Sequence, residues 1–250
     1  MAALDCQSVC LDYSLAGRQV RALQDVTVAV EKREFVSLLG PSGCGKSTLL
    51  NVVAGFLKPS GGRVLVEGRE VSEPGRDRGV IFQDHALFPW MTARQNIGYG
   101  LQASGAPRDV RDQKVNELIE LVGLRGFEHA FPSQLSGGMR QRVAVSRALA
   151  TSPSILLMDE PFSAIDEQTR QGLREEFLRI WQKTGQTVLL VTHSIEESVI
   201  MSDRVVVMGT KPGRVIDVVN VDLPRPRDET SADFMRLRRR IGGLLHNKSG

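Results

Sequence analysis

The sequence has few cysteines, little net charge and no long apolar run, and each shortage excludes a class of protein. Three cysteines in 250 residues cannot build a disulfide framework, so a reducing compartment is expected. The 32 basic and 29 acidic residues give a net charge of +3, which is too small to indicate binding to nucleic acid. No apolar run approaches the roughly 20 residues that a membrane-spanning helix needs. Residues 1–20 contain Asp5 and Asp12 and no unbroken apolar stretch, so no signal peptide is expected.

What is present is an ordinary globular composition, 41% hydrophobic and 24% charged, which excludes a disordered or collagen-like chain. Apolar alternation and short apolar runs predict strands within 4–39 and at 63–66, 79–82, 154–158, 187–191, 204–208 and 214–219. Helical periodicity predicts helices at 46–57, between 92 and 150, at 167–184 and at 232–246. Alternating strands and helices indicate an α/β core with a mainly parallel sheet, into which residues 92–150 are inserted as a helical subdomain.

Residues 40–47, Gly-Pro-Ser-Gly-Cys-Gly-Lys-Ser, fit the P-loop pattern and lie between an apolar strand and a helix. Glycines let backbone N–H groups turn inward around an anion, and the helix points its positive end at the phosphates. Lys46 is expected to reach the β- and γ-phosphates and Ser47 to ligate Mg²⁺. An ordinary glycine-rich turn is the alternative, but it requires no Lys-Ser pair after its last glycine. The predicted nucleotide-binding residues here are Gly40, Pro41, Ser42, Gly43, Cys44, Gly45, Lys46, Ser47 and Thr48.

Two further expectations concern the cysteines. Cys44 lies beside a helix N-terminus and Lys46, which favours the thiolate, so ATP is expected to protect it from alkylation. Cys6 and Cys10 lie four residues apart on a predicted strand, where core packing is favoured over a metal site because no further ligand is near in sequence.

Residues 155–160, Ile-Leu-Leu-Met-Asp-Glu, form an apolar run that ends in two carboxylates. Such a run is typical of a buried parallel strand, and ligands bind outside the carboxyl ends of these strands. Asp159 is expected to hold Mg²⁺, and Glu160 to act as the general base for the attacking water. Because neighbouring strand residues point to opposite sides, the two carboxylates are expected to have different roles. A solvated acidic strand end is the alternative.

Residues 135–142, Leu-Ser-Gly-Gly-Met-Arg-Gln-Arg, closely resemble the LSGGQ signature of ATP-binding cassette (ABC) ATPases, with Met139 in place of the usual Gln. Ser136 can cap the helix that follows, and Gly137 and Gly138 let a phosphate approach the N-terminus of that helix. The resemblance implies a head-to-tail dimer in which each cassette completes the other's site. A helix cap without a ligand is the alternative.

Further motifs of that family occur in the expected order. Gln83 resembles the Q-loop glutamine, which implies contacts with Mg²⁺ and the attacking water. Residues 163–166 resemble the D-loop that ends at Asp166, with Ile165 where Leu is usual. His193 resembles the switch histidine that contacts the γ-phosphate. Tyr13 resembles the aromatic residue that stacks on adenine, although core packing in a strand fits it nearly as well.

The resemblance spans about residues 4–222 and implies a RecA-like P-loop core with an N-terminal antiparallel β region. The expected organisation is one cassette over about 4–235, with the core in 1–91 and 151–223, the helical insert in 92–150, and a linker and basic tail in 224–250. ATP and Mg²⁺ are the implied cofactors. The implied partners are a second copy, permease subunits and, indirectly, a periplasmic or lipid-anchored solute-binding protein. The implied location is the cytoplasmic face of the inner membrane.

Residues 76–83, 87–90, 192–198 and 212–215 resemble the nitrate, sulfonate and taurine importer subgroup, with Ser194 where Asp is frequent. A sulfonate such as taurine is the first expectation for the solute, followed by nitrate and then an aromatic acid. Phe88 and Trp90 fit either subdomain packing or a permease contact. A non-transport ABC ATPase of translation or DNA repair, and a small-molecule P-loop kinase, are the alternative classes. Arginines 236, 238, 239 and 240 fit either a solvated helix or a lipid contact.

Overall fold

The computed structural model describes residues 2–15, 18–163 and 167–247. The chain divides into two compact units, one made of residues 1–75 and 186–250 and the other of residues 76–185. In the described ranges, no helix is both long enough and apolar enough to cross a membrane. The predicted site residue Asp166 lies outside the described residues.

The described strands are β1 (Leu4–Leu15), β2 (Arg18–Val30), β3 (Phe35–Leu39), β4 (Gly61–Val66), β5 (Arg69–Glu70), β6 (Arg78–Ile81), β7 (Ile155–Asp159), β8 (Thr187–Thr192), β9 (Arg204–Gly209) and β10 (Arg214–Asn220). The described α-helices are α1 (Lys46–Ala54), α2 (Ala93–Ala103), α3 (Arg108–Leu121), α4 (Gly137–Ala150), α5 (Glu167–Thr184), α6 (Ile195–Met201) and α7 (Ala232–Asn247). The alternation predicted from the sequence is therefore present, and the α/β fold class is confirmed.

The first unit contains an antiparallel sheet in the order β2-β1-β4-β5, which is the predicted N-terminal β region. It also contains a mainly parallel group of strands in which β3 pairs in parallel with both β8 and β9. Every residue of β3 and β8 is buried, as expected for parallel strands that are covered on both faces. Because Leu39 pairs with Thr192, β3 and β8 end at the same edge.

The helix after β3 is shorter than the sequence predicts, since α1 ends at Ala54 and not at Leu57. Gly55 adopts a left-handed conformation with φ 81°, and the Phe56 N–H donates to the Asn51 carbonyl at 2.9 Å. This is the pattern of a glycine-terminated helix, in which the orphaned last carbonyls are satisfied by the chain that turns away.

The second unit pairs β6 in parallel with β7 and packs helices α2, α3 and α4 against one another. Thr92 and Gln95 form a capping box at the start of α2. The apolar positions that set the helical period around α3, Val115, Leu118, Ile119 and Val122, are all buried. The predicted helix periodicity is therefore confirmed here.

Candidate functional site

The phosphate loop connects β3 to α1 in the first unit. Gly43 and Gly45 have φ of 79° and 90°, a region that disfavours other residues. Gly45 occupies the N-cap of α1, so within the described chain no side chain caps this helix, and its first turn contains no acidic residue. The backbone N–H groups of the first turn and the positive end of the helix dipole therefore suit an anion.

Lys46 is enclosed by this loop, with only 5% of its surface exposed. Its Nζ donates to the carbonyl oxygens of Gly40 at 2.7 Å and Pro41 at 3.1 Å. A buried ammonium group needs such partners, because losing water without compensation is costly. The charge of Lys46 is thus held at the start of the loop, where a phosphate bound to the α1 N-terminus would lie beside it.

Burial opposes the thiolate that the sequence suggests for Cys44. Its side chain is fully buried, and burial is the main influence on its thiol, raising the pKa above the usual value although Lys46 acts in the opposite direction. The expectation of a thiolate at Cys44 is therefore wrong, because desolvation outweighs the nearby charge. Cys6 is also buried, and burial together with Asp5 raises its pKa to about 12, which fits core packing.

The turn between β9 and β10 forms the back of the phosphate loop. Gly213 N–H donates to Ala22 O, and Gly213 O accepts from Gln24 N–H, each at 2.9 Å. A Cβ atom on Gly213 would lie 2.2 Å from the Cys44 carbonyl oxygen. Only glycine permits this approach, so the turn supports the phosphate loop directly. Sequence reasoning gave Gly213 no role at the site, because the contact joins segments about 170 residues apart.

Two other predicted residues lie at this end of the first unit. The Tyr13 hydroxyl is 3.4 Å from Thr48 Oγ1, which places this ring beside the first turn of α1. His193 is exposed and directly follows Thr192, the residue that pairs with Leu39 at the end of β3. The structure thus brings the phosphate loop and His193 to one edge of the strands.

In the second unit, Gln83 and the two carboxylates also share an edge. Ile81 pairs with Met158, so Gln83 follows β6 on the side where Asp159 ends β7 and Glu160 follows it. Gln83 is exposed, whereas Asp159 and Glu160 are partly buried.

Glu160 is not part of the strand, and its φ of 44° is unusual for a residue other than glycine. Ser163 stabilises the turn, because its Oγ and its N–H both donate to the Glu160 carbonyl, at 2.8 and 3.1 Å. Strand alternation therefore does not relate Asp159 to Glu160, because Glu160 lies in a turn that follows the strand. Backbone strain of this kind is frequent at functional sites.

Ser136 caps α4, as the sequence predicts, and its Oγ accepts from the Met139 N–H at 3.2 Å. Gly137 and Gly138 form the first turn, which within the described chain has no acidic residue. This helix end opens on a groove of about 660 Å³ that also touches Thr169 and Gly172 of α5. The second unit therefore presents a second helix N-terminus suited to an anion.

The loop after Gln83 is held by an arginine that sequence reasoning missed. His85 and Ala86 both have positive φ, 63° and 45°. Arg147 donates to their carbonyl oxygens at 2.9 and 2.6 Å and lies 5.6 Å from the centre of the Phe88 ring. Arg147 thus joins this loop to α4. Within the loop, burial and next the charge of Arg140 lower the pKa of the His85 imidazole.

Phe88 is packed between two other aromatic rings, at 4.5 Å from Tyr99 and 5.7 Å from Trp90. Trp90 itself is 69% exposed, although an indole ring is normally covered. Subdomain packing therefore describes Phe88, whereas Trp90 is exposed and available for a contact. We refer to Phe88, Trp90 and Tyr99 as the aromatic surface.

Comparison with known proteins gives a family match and close relatives. A family described as ABC transporter matches residues 23–163. The taurine import ATP-binding protein TauB of Rhizobium johnstonii is 48% identical over 239 residues, covering 92% of this chain and 91% of that protein. The aliphatic sulfonates import ATP-binding protein SsuB of Bacillus cereus is 42% identical over 239 residues, covering 93% and 94%.

Among solved structures, the chain is similar to the dimeric, post-hydrolysis structure of the ATP-binding cassette MJ0796 bound to ADP and Pi. The TM-score is 0.76 with 30% identity, over 88% of this chain and all of that one.

Proposed function

Because this chain belongs to the ABC transporter family, we propose that it is the ATPase subunit of an importer for small organic sulfonates. Hydrolysis of ATP coupled to transport is the activity of this family. The observation that carries the ATPase part of the proposal is that one chain combines a phosphate loop at α1 with a second glycine-rich helix N-terminus at α4. A small-molecule kinase has no use for the second of these. The importer and the solute class rest on the similarity to TauB and SsuB.

In the first unit, the phosphates of ATP would bind the N–H groups at the start of α1 and the ammonium of Lys46. Tyr13, beside Thr48, would stack on the adenine ring, since aromatic stacking tolerates any base. His193 would contact the γ-phosphate from the end of β8. A phosphate fits this cradle, because the loop supplies N–H donors and one buried positive charge. The first turn of α1, which lies wholly within the described residues, contains no carboxylate.

We propose Ser47, Asp159 and Gln83 as Mg²⁺ ligands, as the family resemblance implies. Hydroxyl, carboxylate and amide oxygens are the donors that this hard cation prefers. When bound, Mg²⁺ neutralises the charge that develops on the phosphate oxygens.

Glu160 would accept a proton from the attacking water. A bond then forms between the water oxygen and the γ-phosphorus, and the bond to the β–γ bridging oxygen breaks, leaving ADP and inorganic phosphate. The turn held by Ser163 fixes the Glu160 backbone, and with it the point from which the side chain extends.

A second copy of the chain would complete each site. Ser136 and the first turn of α4 would bind the γ-phosphate held by the partner, as the head-to-tail arrangement of the family implies. Asp166, which lies outside the described residues, is proposed to act at the same interface.

The aromatic surface is the contact we propose for a permease. Trp90 offers an exposed apolar ring, and Arg147 links the loop that follows Gln83 to Phe88, so movement at the permease would reach Gln83 through packed groups. The permease would hold the cassette at the cytoplasmic face of the inner membrane and receive its solute from a solute-binding protein outside.

The solute is tested by growth of a strain that lacks this gene, with taurine or an alkanesulfonate as the only sulfur source and sulfate as the control. A defect on sulfonates alone, rescued by the wild-type gene and by Glu175→Gln but not by Glu160→Gln, supports the proposal. Glu175 is an exposed carboxylate on α5. Normal sulfonate uptake by the deletion strain contradicts the solute class, and a defect with nitrate as nitrogen source would replace it.

Gly213→Ala is expected to raise the KM for ATP about tenfold, since overpacking costs roughly 1–3 kcal/mol and 1.4 kcal/mol is a factor of ten. The added methyl group would push the Cys44 carbonyl, and with it the phosphate loop. The backbone of Gly213 is not in the left-handed region, so the effect is steric. Gly61→Ala is the matched control, because its Cβ would meet only Cys10 Cβ at 3.6 Å. Equal KM values for the two variants in an ATPase assay would refute this role.

A further inference from the structure

Helix α6 connects the predicted switch residue to the C-terminal part of the first unit. It has only seven residues, too few for a helix to be stable by itself. At its N-terminus, Ser194 Oγ accepts from the Glu197 N–H at 3.2 Å, and Thr192 hydrogen-bonds to the Glu197 carboxylate. This end of α6 is thereby fixed to β8, with His193 between them.

The C-terminus of α6 is held by two arginines from the segment predicted as a linker. Arg227 donates to five backbone carbonyl groups at 2.5 to 3.2 Å, those of Val199, Ile200, Ser202, Val221 and Leu223. Arg225 donates to the Met201 carbonyl at 2.6 Å. Four consecutive carbonyls at the end of the helix, where no intrahelical N–H is available, therefore accept from Arg225 or Arg227.

These arginines differ in their charge partners. Arg225 pairs with Asp203 at 2.6 Å, and the other carboxylate oxygen of Asp203 accepts from the Phe35 N–H at the start of β3, at 2.9 Å. Arg227 faces carbonyl oxygens, and burial, followed by the charge of Arg225, lowers its pKa to about 10. It remains protonated near neutral pH, and its charge stands at the negative end of the α6 dipole.

We propose that Arg227 is a positioning residue for ATP hydrolysis: by holding the C-terminal carbonyls of α6 it fixes the helix that directly follows the His193–Ser194 turn. The inference rests on the role proposed for His193. It also makes residues 224–227 part of the catalytic cassette. A displacement of about 1 Å at a reacting group can cost on the order of a hundredfold in rate, so loss of this support acts on turnover.

The test uses the full chain and four variants: Arg227→Met, Arg227→Lys, His193→Ala and the double variant Arg227→Met/His193→Ala. Arg227→Met is expected to lower kcat about tenfold or more while the affinity for ATP changes less than about twofold. Arg227→Lys keeps the charge with fewer donors and is expected to lie between the wild type and Arg227→Met. Arg239→Met, on the exposed face of α7, is the control and is expected to leave kcat unchanged.

The double variant distinguishes positioning from general support of the fold. If Arg227 acts through His193, the double variant is no slower than His193→Ala alone. Additive losses, or an unchanged kcat in Arg227→Met, overturn the inference. If Arg227→Met does not fold, Arg227→Lys alone and combined with His193→Ala decides by the same comparison. A His193→Ala variant with normal kcat would instead refute the role of His193, so the two failures are distinguishable.

Discussion

Glu160→Gln is expected to lower the turnover of ATP hydrolysis by about a hundredfold or more, since a positioned general base contributes roughly 10²–10⁴ in rate. The amide has the size of the carboxylate but cannot accept the proton of the attacking water. Binding of ATP is expected to persist, because the phosphate loop and Lys46 are unchanged. The measurements are steady-state release of phosphate and equilibrium binding of ATP.

The same variant is expected to accumulate as a dimer in ATP, as judged by light scattering, because hydrolysis no longer separates the two copies. Glu175→Gln is the matched control, as it removes an exposed carboxylate from the same unit. Turnover within a factor of two of the wild type in Glu160→Gln would remove Glu160 from the role of base.

Lys46→Met is expected to weaken ATP binding by about ten- to a hundredfold, because a hydrogen bond to a charged group contributes roughly 1.5–3 kcal/mol. The methionine keeps the length of the side chain but removes the buried positive charge, and it leaves the carbonyls of Gly40 and Pro41 without this donor. Titration of the folded protein with ATP gives the dissociation constant, and denaturant unfolding without ATP reports any change in stability.

Two further lysine variants test whether the loss of ATP binding is specific to the ammonium group of Lys46. Lys58→Met removes an exposed charge from the same unit and is expected to bind ATP normally. Lys46→Arg is expected to restore little affinity, since the planar guanidinium is larger than the ammonium that the loop encloses. Wild-type affinity in Lys46→Met would show that backbone N–H groups alone hold the phosphates.

The sequence predicts the parts of the site that depend on local chemistry. The glycines around Lys46 and the capping Ser136 are recognisable because a turn or helix start requires those residue types within a few positions. The apolar runs of β3 and β8 likewise reveal buried parallel strands, so the edge shared by the phosphate loop and His193 follows from the fold class.

What the sequence could not predict depends on contacts between distant segments. Cys44 lies beside a lysine in sequence, yet burial by other elements decides its protonation. Arg227 stands in a stretch rich in proline and charge, which is typical of an exposed linker, but the fold surrounds its partly buried guanidinium with carbonyl oxygens. The sequence does not predict the turn at Glu160, because nothing in the apolar run of β7 marks the residue at which the extended conformation ends.

The exposure of Trp90 gives the molecule an optical signal of its own. The sequence contains two tryptophans, Trp90 and Trp181. In a Trp181→Phe protein the fluorescence would come from a single indole on the aromatic surface, emitting at the long wavelengths of a ring in water. Any binding partner that covers this ring would shift the emission to shorter wavelengths and slow its quenching by iodide. Docking could then be followed in real time without a label, separately from the release of phosphate.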